Sequence, residues 1–152
     1  MTARANTPQN VGRLCLCLHV QRAARAVGRR YDRALRPLGL NGGQFSVLMA
    51  LNRPRATGDA RAGAVGMTEL AKPLGMDRTT LTAALKPLER RGLVRVDRGA
   101  EDRRTRCVAL TEEGRVLLER ALPMWEAAQA EVGALLPGGD LDRLRSDLRA
   151  MV

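Results

Sequence analysis

The sequence predicts a mostly helical chain of the α+β class, on three observations. Residues 67–91 read as two short amphipathic helices separated by a glycine turn. Residues 93–110 alternate apolar and polar side chains about a turn, as a β-hairpin does. Long stretches on both flanks repeat apolar residues at every third or fourth position, which is the helical period. At 152 residues the chain suffices for one domain with a real core.

Residues 1–10 are polar and are expected to fray. From Val11 to Arg36 a helix carries Leu14, Leu18, Ala24, Val27, Tyr31 and Leu35 along one stripe, and Pro37 and Gly39 end it. Asn41-Gly42-Gly43 reads as a turn, and a second helix runs from Gln44 to Leu51 with Phe45, Val47, Leu48 and Leu51 inward. Asn52 to Gly66 has the Gly, Pro, Ala and Arg mix of a surface loop; it is longer than most connections and is expected to be disordered. Thr68 is placed to cap a short helix bearing Leu70, Ala71 and Leu74, and Gly75 to end it. Asp77 caps the next helix, which Gly92 stops just after Arg90 and Arg91; Pro87 lies inside and should bend it. The hairpin runs over Leu93–Asp97, turns at Arg98-Gly99-Ala100 and returns over Arg104–Leu110. Thr111 caps a long helix from Glu112 to about Leu136, with an acidic first turn and a kink expected at Pro123. After Pro137-Gly138-Gly139, Asp140 caps a last helix with Leu141, Leu144, Leu148 and Met151.

Function is most legible on the helix that Asp77 caps. At about 100° per residue, Leu81, Ala84, Leu85 and Leu88 fall on one side and Thr79, Thr82, Ala83, Lys86 and Arg90 on the other, with Arg78 in the first turn. Short hydroxyl side chains permit close approach to a major groove, and cations meet phosphates or guanine edges. The hairpin tip adds Arg98, Arg103, Arg104 and Arg106. A run of surface cations is as a rule only solvated. Here, amphipathic helix, glycine stop and arginine-tipped hairpin follow in the one order that a winged helix-turn-helix requires.

Composition agrees. Lys and Arg outnumber Asp and Glu by 26 to 16, a net charge of +10, and arginines stand at 4, 13, 22, 25, 29, 30, 33 and 36. Such a balance fits a polyanionic partner, nucleic acid before membrane. One Phe, one Trp and one Tyr are too few to stack single-stranded bases, so the expected partner is double-stranded DNA. Neither an apolar run of eighteen residues nor a leader with a cleavage site is visible, which places the expectation in the cytoplasm. Three cysteines in a reducing compartment do not suggest disulfides. Cys15 and Cys17 would point about 200° apart on a helix, which disfavours one shared ion; no metal and no cofactor is expected. His19, the only histidine, has no nucleophile or phosphate loop to serve, so no catalytic residue is expected.

Segment 67–111 resembles the MarR family of bacterial transcription regulators in MTELA, MDRTTLT, LKPLERRGLV, the wing motif Asp102-Arg103-Arg104 and the closing VALTEEG. The likeness extends to Leu14–Leu51 and, more loosely, to the C-terminal helices. It implies a homodimer on a pseudo-palindromic operator, usually a repressor, often released by a small molecule or an oxidant. Residues 1–40 and 112–152 would form a helical dimerisation region around a winged helix-turn-helix at 41–111, all one compact chain. DNA would be met by Thr68, Arg78, Thr79, Thr80, Thr82, Lys86 and Arg90, with Arg98, Arg103 and Arg104 on the wing; Asp102 would orient a neighbouring arginine. Arg53, Arg55 and Arg61 would brush the DNA backbone.

A small organic ligand would bind where the first, second and long C-terminal helices meet the winged domain, lined by His19, Tyr31, Phe45 and Trp125, although plain core residues need no ligand. One branch of the family senses organic hydroperoxides through a first-helix cysteine. Aligning on Arg25-Ala26 and Tyr31 puts Cys17 there, but Gln21 and Gly42 stand where that branch has further tyrosines. Two other classes stay open: a sequence-indifferent architectural DNA-binding protein, and a protein–protein module that shows no salt-dependent DNA binding.

Overall fold

The computed structural model describes residues 8–52, 64–98 and 105–151. In chain order the elements are α1 (Pro8–Leu14), α2 (Leu16–Leu35), a 3₁₀ turn (Arg36–Leu38), α3 (Gly42–Leu51), β1 (Val65–Gly66), α4 (Met67–Leu74), α5 (Arg78–Arg90), β2 (Val94–Arg98), β3 (Arg106–Leu110), α6 (Glu112–Gly133) and α7 (Leu141–Arg149). The sheet is antiparallel in the order β1-β3-β2, with Val65 opposite Val108 and Val94 opposite Leu110. This is the mostly helical winged helix-turn-helix that the sequence predicts.

Helix α3 is the hub. Its faces carry Phe45, Val47, Leu48 and Leu51, all buried, and it packs against α2, α4, α5, α6 and β3. Around it Leu35, Leu70, Leu81, Leu88, Val108, Leu118 and Ala121 complete one continuous core. Local signals set the ends of the elements. Gly75 and Gly92 take φ of 59° and 70°, and the Gly92 and Leu93 amides close the end of α5 onto the carbonyls of Glu89 and Leu88. Asp77, Thr111 and Asp140 each accept the backbone N–H three residues on, at 2.7, 3.0 and 2.7 Å.

Five boundaries differ from expectation. The first helix starts at Pro8 and breaks at Cys15, whose extended backbone (φ −65°, ψ 104°) caps α2, with Sγ accepting the Leu18 N–H at 3.5 Å. Cys15 and Cys17 therefore do not share a helix, and the 200° argument loses its premise. Helix α3 begins at Gly42, because Asn41 and Gln44 form a reciprocal capping box of 2.8 and 3.1 Å. Thr68 is the second residue of α4 and does not cap it: Gly66, held extended by β1, is the residue before the helix. Strand β1 itself falls where a loop was expected. Helix α6 ends at Gly133 rather than at Leu136. Both α5 and α6 run without interruption through Pro87 and Pro123. Of the expected frayed segment 1–10, disordered loop 52–66 and turn 98–100, residues 1–7, 53–63 and 99–100 lie outside the described residues, while 8–10 are helical, 65–66 form β1 and Arg98 ends β2.

Candidate DNA interface and effector cavity

Helix α5 buries Leu81, Leu85 and Leu88 and turns Arg78, Thr79, Thr80, Ala83, Lys86 and Arg90 to solvent. Its hydroxyls are not equivalent. Thr80 gives both its N–H (2.7 Å) and its hydroxyl (3.0 Å) to Asp77, which fixes the first turn and holds the Asp77 carboxyl below its ordinary value. Thr82, half-buried, donates its hydroxyl to the Arg78 carbonyl at 2.7 Å. Thr79, Lys86 and Arg90 complete the outward face, and Thr68 is exposed on the first turn of α4. Arg98 and Arg106 stand directly opposite each other across β2 and β3, both exposed. Like charges so placed repel, and a phosphate between them would relieve the repulsion. Arg103 and Arg104, with Asp102, lie outside the described residues, as do Arg53, Arg55 and Arg61.

A cavity of about 950 Å³ opens between α2, one face of α3, the end of α4 and the middle of α6. Tyr31, Phe45 and Trp125 line it, and Phe45 stacks on Trp125 with centroids 6.4 Å apart. The Tyr31 hydroxyl donates to Gln129 Oε1 of α6. Burial pushes the Tyr31 phenol up, against the opposing field of Arg145. Of the expected lining, His19 is elsewhere: it is exposed near the start of α2 and donates Nε2–H to the Arg13 carbonyl at 2.9 Å. The first α2 residue in the wall is Ala24, more than a helical turn further on.

Cys17 is exposed in the first turn of α2. Gln21 donates its amide N–H to the sulfur at 3.3 Å, a donor at one of the positions where the hydroperoxide-sensing branch has a tyrosine. Tyr31, on the same unbroken helix fourteen residues away and bonded to Gln129, does not approach it.

Known proteins fit this geometry. The MarR family profile matches residues 40–105. The HTH-type transcriptional repressor YetL of Bacillus subtilis is 32% identical over 125 residues, spanning 81% of this chain and 71% of that protein. The organic hydroperoxide resistance transcriptional regulator of the same species is 27% identical over 142 residues, 90% of this chain and 86% of that one. The M. tuberculosis transcriptional regulator MosR, solved in complex with DNA, is 43% identical with a TM-score of 0.75, covering 90% of this chain and 92% of that one.

The chain belongs to the MarR family. It is a DNA-binding transcriptional regulator and not an enzyme. Among the described residues no helix of this MarR protein is long and apolar enough to cross a membrane.

Sequence reasoning missed three residues that organise the site. Arg91 does not join the DNA face: it turns back from the end of α5 and donates Nη1–H to the Gly39 carbonyl at 2.7 Å and Nη2–H to Leu38 at 2.9 Å. Asp32 accepts the Gly42 N–H at 2.7 Å and lines the cavity. Gln129 orients Tyr31. Only Asp32 left a trace in sequence, as the single acid among the first 36 residues.

Proposed function

We propose that this regulator represses transcription as a homodimer on a pseudo-palindromic site in double-stranded DNA, in the cytoplasm, and lets go when a small organic molecule fills the cavity. The observation that carries the reading is the position of that cavity, whose walls come from α2 and α6 on one side and from α3 and α4 on the other. In this assignment residues 1–40 and 112–152 dimerise and 41–111 bind DNA. An occupant biases how the two parts sit, and so the spacing of the two α5 helices. Dimerisation is supported by apolar side chains without cover in one chain: Leu16 is 62% exposed, Leu135 58% and Val11 54%, with Leu14, Leu144, Leu148 and Met151 beside them in the sequence pattern.

Thr79 and Lys86, with Thr82, Arg78 and Arg90 flanking, would read or approach bases from α5. Thr68 and Thr80 would serve phosphates, and Arg98, Arg103 and Arg104 the flanking minor groove. Selection of bound sequences from random DNA with the purified protein tests this. Two half-sites about one helical turn apart (roughly 34–36 Å) are expected, from a particle that scatters light as a dimer. A monomer, or no enriched sequence, overturns it; the latter result favours the architectural class, whose specific-to-non-specific affinity ratio is small.

A second reading rests on the exposed Cys17 thiol and its Gln21 donor. Its sulfur would take the distal oxygen of an organic hydroperoxide, which leaves as the alcohol, giving a sulfenic acid. Hydroperoxide then releases DNA from the wild type and not from Cys17→Ser. The absence of any release keeps the effector reading in first place.

A further inference from the structure

The chain has one Phe, one Trp and one Tyr, and all three line the same cavity. The rest of the core is aliphatic, with Met at its edge, so the aromatic faces of the molecule are concentrated at this one place. The polar lining is lopsided. Among the described residues around the cavity there is no Lys, Arg or His, and the one charged side chain is Asp32.

Three donors in the wall are engaged by protein. The Tyr31 hydroxyl goes to Gln129, the Ser46 hydroxyl to the Gly42 carbonyl at 2.9 Å, and the Gly42 N–H to Asp32. The N-terminus of α3 opens here, and an anion would ordinarily favour it. Its Gly42 and Gln44 amides are taken by Asp32 and Asn41, which leaves the Gly43 amide beside the Asp32 carboxylate, whose charge opposes an anion there. Neutral donors remain on Asn41 and Trp125, but the only formal charge that faces an occupant is the Asp32 carboxylate, using one oxygen on Gly42, and three rings surround it. Arg145 of α7, whose field reaches Tyr31, is itself paired with Asp142 at 2.5 Å.

We infer that the effector is a cationic, largely apolar organic molecule, an amine or onium compound, held over the rings of Tyr31, Phe45 and Trp125 and paired with Asp32. The inference rests on the effector-cavity reading above and gives that cavity its ligand class. Ring faces attract cations through their quadrupole. The net charge of +10 does not prevent entry, because charges beyond about 8 Å are screened at physiological salt.

Trp125 is the only tryptophan and reports on the cavity by its fluorescence. Three probes of similar shape differ in charge: tetraphenylphosphonium, neutral triphenylphosphine oxide and tetraphenylborate. Titrated into the full-length protein, the cation should change Trp125 emission saturably at one site per chain, roughly tenfold more tightly than the oxide. It should also release operator DNA. Asp32→Asn keeps an oxygen for the Gly42 N–H and should bring the cation down to the level of the oxide. If the oxide or the borate binds the wild type most tightly, and Asp32→Asn changes nothing, the cationic class is overturned while the effector cavity stands. If no probe changes Trp125 emission saturably, the effector reading falls with it. Should Asp32→Asn fail to fold, the order of the probes on the wild type decides alone.

Discussion

Gly114 is where the winged domain is fastened to α6, and replacing it with alanine should unfasten the two. A Cβ built there lies 2.1 Å from the Leu93 carbonyl oxygen and 2.7 Å from Leu110 Cδ1. Carbon–oxygen contacts normally sit at about 3.3–3.6 Å, so something must move by more than an ångström. The Leu93 oxygen cannot swing aside freely, because it accepts the Thr111 N–H at 3.2 Å, and the Thr111 hydroxyl is tied to the Gly92 carbonyl at 2.6 Å. Overpacking of this kind costs about 1–3 kcal/mol, against a helix-propensity gain of no more than ~1 kcal/mol. A net loss of about 2 kcal/mol would lower Tm by roughly 4–8 °C in a chain of this size. Gly28→Ala is the matched control: nothing lies within 4 Å of its Cβ, so it should be neutral or stabilising. Thermal and urea melts at one fixed protein concentration measure both. A Gly114→Ala protein as stable as the wild type would refute the packing argument.

Arg91→Ala removes two charge-assisted hydrogen bonds at a partly exposed site and should cost about 1–3 kcal/mol by urea melting, with Arg91→Lys recovering part of it. Lys86→Ala and Thr79→Ala should change which sequences are selected, whereas Arg106→Ala should weaken all sequences alike and flatten the salt dependence by about one charge; the two signatures exchanged would reverse the roles of helix and wing. The Asp77 carboxyl is held down by Thr80, so its contribution is present above the ordinary carboxylate value of 3.8 and is lost as the pH falls through its lower folded value. The stability difference between wild type and Asp77→Ala should therefore shrink on acidification below about pH 4, as followed by circular dichroism.

What could be read from sequence is what local chemistry fixes. Asp77, Thr111 and Asp140 cap because a side-chain oxygen reaches an N–H three residues on, and Gly75 and Gly92 end helices because only φ near +60° turns the chain there. The order of helix, helix and hairpin followed from those signals, and so did the outward face of α5. Features set by distant partners were not legible. The two residues of β1 are a strand only because Val108 and Cys107 lie alongside, and that pairing holds Gly66 extended and moves the cap off Thr68. Arg91 looked like one more cation at a helix end, and its partners are over fifty residues away. Tyr31, Phe45 and Trp125 are brought together by the packing of α2, α3 and α6, and His19 is not, because it lies more than a helical turn before the first α2 residue in the cavity wall. The break at Cys15 has no glycine or proline to announce it. Among the described residues α1 has no sizeable packing partner in its own chain that would hold it in line with α2.

The segment from Leu38 to Gly43 joins these parts into one device. At one end its Leu38 and Gly39 carbonyls are gripped by Arg91, the residue that caps α5. Gly39, with φ of 65° and the guanidinium 3.4 Å from its Cβ position, leaves room for that grip. At the other end, Asn41, Gly42 and Gly43 form part of the cavity wall, and Gly42 is held by Asp32 of α2. Only Leu40 and Asn41 thus stand between Gly42, held by a carboxylate that faces the cavity, and Gly39, held by the guanidinium at the end of α5. Each polar end of the segment is held by a short hydrogen bond, and Leu38 and Leu40 are buried in the core. On the proposed effector reading, an occupant that draws Asp32 toward itself would pull on Gly42, and the displacement would reach the end of α5 through Arg91.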